Sequence, residues 1–246
     1  MVFIDGENFL QNIRKLFRTE FDRRDYLPRN ARWDWFFGKI AEELHAYEFS
    51  VRWYVIEELD FLPYADWDTE PWDVLLRKIG VDAIREELQG KRTEMERRSV
   101  VENHCRMCRD SEIVMRQRLA EWHAMQDEIS AEHPNVRFYR TGWQPCYLPD
   151  RNLGQEKAID IGLAVDLVRK VNDYDLAVLF SGDGDYVPAV KVVESAGKKV
   201  ALMEFEFRNG ETLRGTSRRL NALADVKIQV PFEDLTKFLG LDLPVA

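Results

Sequence analysis

Short apolar runs alternate along this chain with stretches whose apolar residues recur every three or four positions. The runs suit strands buried on both faces, and the longer spacing suits amphipathic helices. The clearest unit lies between residues 173 and 203. Leu176–Phe180 reads as a buried strand that stops at Ser181-Gly182-Asp183-Gly184-Asp185. Residues 189–196 read as a helix, with Pro188 in its first turn and Gly197 as the closing residue. Residues 200–203 begin the next strand. Such strand–helix–strand units build parallel sheets.

The same pattern runs through the rest of the sequence. Residues 1–4 form a strand ending at Asp5, followed by helical spacing through Phe9, Ile13 and Leu16-Phe17. Residues 33–47 predict a helix whose aromatics face the core, and 51–56 a strand. From about 60 to 135 the chain is highly charged. After Pro63 and Pro71 it is nearly free of breakers, which predicts a helical insertion, an antiparallel pair, within a single domain spanning 1–246. Residues 136–141 predict a strand and 142–152 an exposed loop. Residues 155–171 predict a helix with Ala158, Ile161, Val165 and Val168 on one face and Asp160 off it. Residues 217–225 read as helical, 226–230 as a strand and 232–239 as a short helix. The sum is an α/β fold with a central, mostly parallel sheet.

Composition narrows the class. In 246 residues, no apolar run reaches the roughly 20 needed to span a bilayer. No basic stretch followed by an apolar segment opens the chain. Three cysteines cannot make a full disulfide framework. These features point to a cytoplasmic protein with no membrane association. Cys105 and Cys108 form one CxxC; His104, His123 and Cys146 could complete a zinc site, but the spacing fits no standard pattern, and thiols on a helix are the simpler reading. The net charge of −9 excludes a wholly basic nucleic-acid coat. It leaves room for an acidic metal site with local basic patches. Arg14, Lys15, Arg18, Arg23 and Arg24 form one such cluster, and Arg208, Arg214, Arg218 and Arg219 another. Lys91-Arg92 and Arg97-Arg98 add pairs within the insertion, which also offers a surface for a protein partner or a second copy.

The candidate chemistry lies at strand ends. Open parallel sheets bind ligands beyond the carboxyl ends of their strands. Asp183 and Asp185 sit there in a glycine-bracketed turn, and Asp5 ends a second strand. Asp and Gly are also ordinary turn and cap residues, so each motif alone says little.

Together the motifs resemble the NYN family, the LabA-like branch of PIN-like nucleases. The matching residues are Phe3-Ile4-Asp5-Gly6-Glu7-Asn8, then Glu156-Lys157-Ala158-Ile159-Asp160-Ile161, then the stretch from Leu179 to Pro188, followed by Gly197-Lys198-Lys199-Val200. Ser217, Leu220, Ala224 and Asp225 match the closing elements. The likeness covers about 1–58 and 136–232. It implies a three-layer α/β/α fold and a divalent-metal ribonuclease site with RNA, single-stranded or structured, as substrate. Asp5, Asp160, Asp183 and Asp185 would be the catalytic and metal-binding carboxylates for Mg²⁺ or Mn²⁺. Asn8 would assist at the rim and Ser181 would position a ligand or phosphate. Lys157, Arg214 and Arg218 would meet substrate phosphates. Asp166 would be structural. Ala158 stands where the family often has Gly, and Gly184 where it often has Ser.

Phosphodiester hydrolysis agrees with this set. Hard divalent ions prefer carboxylate oxygens, and a two-ion site needs several acids converging from separate elements. Two alternatives remain. One is an RNA- or protein-binding module that keeps the fold and cleaves weakly. The other is a haloacid-dehalogenase-like phosphatase, disfavoured because position 7 is Glu where that group needs Asp.

Overall fold

The computed structural model describes residues 1–17, 30–61, 74, 81–148, 150–213 and 216–241. Arg18, Arg23, Arg24, Pro63, Trp67, Pro71, Trp72, Pro149 and Arg214 lie outside them. The described chain divides into two compact units.

The first unit comprises 1–57, 122–142 and 157–246. Its centre is a six-stranded, all-parallel sheet. The strands are β1 (Val2–Asp5), β2 (Val51–Val55), β4 (Val136–Arg140), β7 (Leu176–Phe180), β8 (Lys199–Phe205) and β9 (Val226–Val230). Their spatial order is β4-β2-β1-β7-β8-β9. The chain order reverses direction between β1 and β7, so the crevice at their carboxyl ends is the switch point where such sheets bind ligands.

Side chains alternate between the two faces of each strand. On one face, Val2, Ile4, Trp53, Val178, Phe180, Met203 and Phe205 join a single apolar core. Three helices cover it: α1 (Gly6–Leu16), α2 (Trp33–Glu43) and α8 (Phe232–Leu239). Helices α5 (Ile159–Arg169) and α6 (Val187–Ser195) pack on the other face, which carries Phe3, Asp5, Arg52, Tyr54 and Ser181. The three layers follow from these two coverings. Gly6 permits the tight entry into α1, because a Cβ there would lie 2.5 Å from the Tyr54 carbonyl oxygen.

The second unit comprises 58–121 and 143–156. It holds β3 (Glu58–Phe61), β5 (Trp143–Tyr147), β6 (Asn152–Leu153), α3 (Val81–Leu88) and most of α4 (Glu94–Glu132). β5 pairs parallel to β3 and antiparallel to β6. The expected loop at 142–152 is therefore largely strand. Pro145 and Pro149 masked it, yet Pro145 tolerates the sheet because its carbonyl still accepts from Gly154 N–H, at 2.8 Å. Cys105, Cys108 and Cys146 are buried thiols in this unit, and burial pushes Cys108 up to about 11.

Two helical expectations also change. In α5 the buried positions are Ile159, Leu163 and Leu167, whereas Ile161 is 62% and Val165 47% exposed. Both sets have helical spacing, so periodicity alone could not choose between them. The helix expected over 217–225 is one turn, α7 (Arg218–Asn221). Among the described residues, no helix is long and apolar enough to cross a membrane.

Candidate active site

Asp5 is the last residue of β1 and only 8% exposed. Its Oδ1 accepts the Asn8 backbone N–H at 3.0 Å, which caps α1. Its Oδ2 accepts two more bonds, from the Tyr186 hydroxyl at 3.0 Å and the Ser181 hydroxyl at 3.3 Å. Both donors come from the segment after β7. The cap explains why an acid suits the start of α1. It does not explain the two buried hydroxyls aimed at the second oxygen.

Burial raises the pKa of Asp5, and the three hydrogen bonds oppose that rise. The ionised carboxylate therefore carries a folding cost above its unfolded pKa. The protonated form relieves that cost below it. The same environment pushes Tyr186 far up, because burial and the charges of Asp5, Asp160 and Asp183 all disfavour a phenolate. Tyr186 is thus a fixed donor, and its hydroxyl bonds to Asp5.

Ser181 is also buried, and its oxygen accepts the Asp183 N–H at 3.2 Å. Asp183 Oδ1 in turn accepts the Asp185 N–H at 3.0 Å, capping a 3₁₀ turn, Gly184–Tyr186. The chain Asp5–Ser181–Asp183–Asp185 thus links two strand ends by hydrogen bonds. Asp183 and Asp185 are exposed at its open end. The Ser217 N–H donates to the Gly182 carbonyl at 2.8 Å and holds α7 against this loop. A Cβ at Gly184 would lie 2.9 Å from the Ser217 hydroxyl oxygen, so the small residue fits this chain's own neighbour.

Asp160 reaches the site from the first turn of α5 and is half-buried. The residue that starts this helix, Ala158, has φ of 66° and no side-chain cap. L-residues other than Gly, Asn and Asp seldom adopt this conformation, which is the physical reason a glycine suits the position. Gly142 (φ 73°) packs against the same turn, where a Cβ would lie 2.0 Å from the Lys157 carbonyl oxygen. Lys157 is exposed beside it, and Arg218 is exposed at the start of α7. Arg214 lies outside the described residues.

Asp166, two turns further along α5, does not join this set. It pairs with the buried Arg52 guanidinium and accepts from the Tyr54 hydroxyl at 2.9 Å. Arg52 also donates to Tyr54 at 3.0 Å and stacks 3.5 Å over the Tyr139 ring. The network anchors α5 to β2, next to Asp5, because Tyr54 is the register partner of Asp5.

The donor set is all oxygen, as a hard divalent ion requires. Among the described residues, no three His, Cys, Asp or Glu side chains form a group that could hold an ion on their own. A hard divalent ion held here would take one or two of these carboxylates and complete its shell with other oxygen ligands. Tyr186, Arg52 and Tyr54 were not singled out from sequence. Buried aromatic hydroxyls look like core positions, and only tertiary pairing with a carboxylate reveals them.

This chain is similar to known proteins at low identity. It is similar to the low amplitude and bright protein LabA of Synechococcus elongatus, at 29% identity over 73 residues. That stretch is 30% of this chain and 39% of LabA, so the match spans well under half of that relative. A solved Vibrio parahaemolyticus protein of unknown function aligns over 93% of this chain and 90% of its own, with 17% identity and a TM-score of 0.40. The NYN domain family model matches residues 64–229, about two thirds of the chain. This span takes in the charged segment that the motifs left out, and it begins after β1. Asp5 lies outside that span. By the extent of that match, the chain belongs to the NYN domain family.

Proposed function

We propose that this protein is a metal-dependent ribonuclease that hydrolyses phosphodiester bonds of RNA at the carboxyl edge of its six-stranded sheet. One observation carries the reading: two hydroxyls from the β7 loop converge on the buried Asp5 carboxylate at the sheet's switch point. Membership of a family related to PIN-like nucleases supports it.

Asp5 and Asp183 would hold a Mg²⁺ or Mn²⁺ ion, with Asp160 and Asp185 beside it. When bound, the ion would supply Lewis acidity toward the phosphate and lower the pKa of a coordinated water. The protein's own residues fix the geometry. Tyr186 and Ser181 lock the Asp5 carboxylate in one orientation. Asn8 uses its side-chain oxygen to accept from Asn12 at 3.0 Å, so its amide N–H groups would be the donors toward a phosphate oxygen. Lys157 and Arg218 supply positive charge at the edge of an otherwise acidic molecule. Buried reduced thiols suit a reducing, cytoplasmic setting.

A second reading, an RNA- or protein-binding module with weak catalysis, is favoured by one feature: the Asp5 oxygens are already engaged by three donors. Metal-dependent melting separates the two. Mn²⁺ should raise the melting temperature of the wild-type chain, and Asp183→Asn should lose most of that rise. Equal shifts in both would place the ion elsewhere.

A further inference from the structure

Strand β8 outruns its neighbour. Its register with β7 ends at Leu179–Leu202, yet it continues to Phe205, while the chain leaves β7 through Ser181-Gly182. A cavity of about 50 Å³ opens in that notch, beside α1. It has room for about four waters. Three rings border it, Phe9, Phe180 and Phe205, with centroids 5.7–6.0 Å apart. Helix α1 supplies the polar lining. Asn8, Asn12 and Lys15 recur at helical spacing and form a stripe next to the buried Phe9 and Ile13. Thr216, just before α7, adds a hydroxyl.

Two lining residues carry a formal charge, Lys15 and Glu204. Met203 and Phe205 face the α1 core, so the Glu204 side chain alternates to the other face of β8. Lys15, exposed near the end of α1, is then the charge on the cavity's side. Amide and hydroxyl donors plus one ammonium suit a small anion with several acceptor oxygens. A phosphate group has that size, because its tetrahedron of oxygens takes the places of about four waters. Asn8 and Ser181 line the cavity and also meet Asp5, so its occupant adjoins the catalytic edge.

Resting on the ribonuclease reading, we propose that this notch holds an RNA phosphate next to the scissile one. Asn8, Asn12 and Thr216 donate to its oxygens, and Lys15 is its counter-charge. The phosphate comes from the next diester of the strand or from a terminal monophosphate, and the two sources give different patterns of loss.

The test is fluorescence anisotropy with the full chain in EDTA. The probes are a labelled single-stranded ribo-oligonucleotide with free terminal hydroxyls and the same strand with a 5′- or a 3′-monophosphate. Lys15→Ala should weaken binding about fivefold and flatten the log–log salt slope by about 0.7, the value of one phosphate on a single strand. Asn12→Leu removes donors at constant charge. It should cost about tenfold, the size of one lost hydrogen bond to a charged group, with the slope unaltered. The double variant should lose less than the product of the two, because both residues hold one group. Lys15→Arg should keep most of the affinity. Losses confined to a monophosphorylated strand assign the notch to a chain end, and equal losses on all three assign it to an internal phosphate. Melting temperatures identify any variant that fails to fold, and Thr216→Val then replaces Asn12→Leu. No wild-type binding to any strand, wild-type affinity in the folded single variants, or losses that multiply in the double variant would overturn the proposal. Cleavage in Mn²⁺ is read separately: binding losses in a chain that cuts nothing refute the nuclease and not the notch, whereas cutting by the wild type with unaltered binding by the variants refutes the notch alone.

Discussion

The two faces of the six-stranded sheet are built by opposite rules. The face under α1, α2 and α8 is apolar and aromatic throughout: Phe36 stacks on Phe238 at 4.4 Å, and Trp33 meets Trp53 edge-on at 5.3 Å. The face under α5 and α6 buries Asp5, Arg52, Ser181, Tyr54 and Tyr186 among its apolar residues. Each of these polar groups has a partner from another element, and the partners run from the Arg52–Asp166 pair to the carboxyl edge. Burial of polar groups adds little net stability even when every bond is made. The first face therefore holds the fold together, and the second spends stability on geometry.

The largest effect that sharpens this contrast lies on the aromatic face. Phe36→Ala should cost about 3–5 kcal/mol in denaturant unfolding and leave metal binding intact wherever the protein remains folded. A cost below about 1 kcal/mol would mean that this core is not what stabilises the sheet. On the polar face, Asp166→Leu strands a buried guanidinium and should cost about 3 kcal/mol. The double variant Arg52→Met with Asp166→Leu should recover most of that loss while still lowering cleavage, because α5 loses its anchor near Asp160. Full cleavage by the double variant would make the network purely structural. The smallest effect is at the strained start of α5. Ala158→Gly should stabilise by about 0.5–1 kcal/mol, by relieving a left-handed alanine at the expense of chain entropy. Destabilisation there would show that the strain is offset locally.

The sequence made the first face more legible than the second. Helices α1, α2 and α8 read correctly because their apolar residues recur at helical spacing, and Val2–Asp5 and Leu176–Phe180 because unbroken apolar runs leave few alternatives. The strand at Trp143–Tyr147 was hidden because a proline and surrounding polar residues imitate a loop. The buried side of α5 was misassigned because Ile159-Leu163-Leu167 and Ile161-Val165 have the same spacing. Aspartates at strand ends were visible as candidates. Their partner Tyr186 was not, since its link to Asp5 spans 181 positions and leaves no local signal.

The most direct test of the central claim is cleavage of labelled RNA and DNA, single- and double-stranded, in Mn²⁺, Mg²⁺ or EDTA, by wild type and Asp5→Asn. The account predicts cutting of RNA that needs the metal and falls by at least about a hundredfold in a variant that still melts cooperatively. Cutting that persists in EDTA, or that Asp5→Asn performs at the wild-type rate, would contradict it.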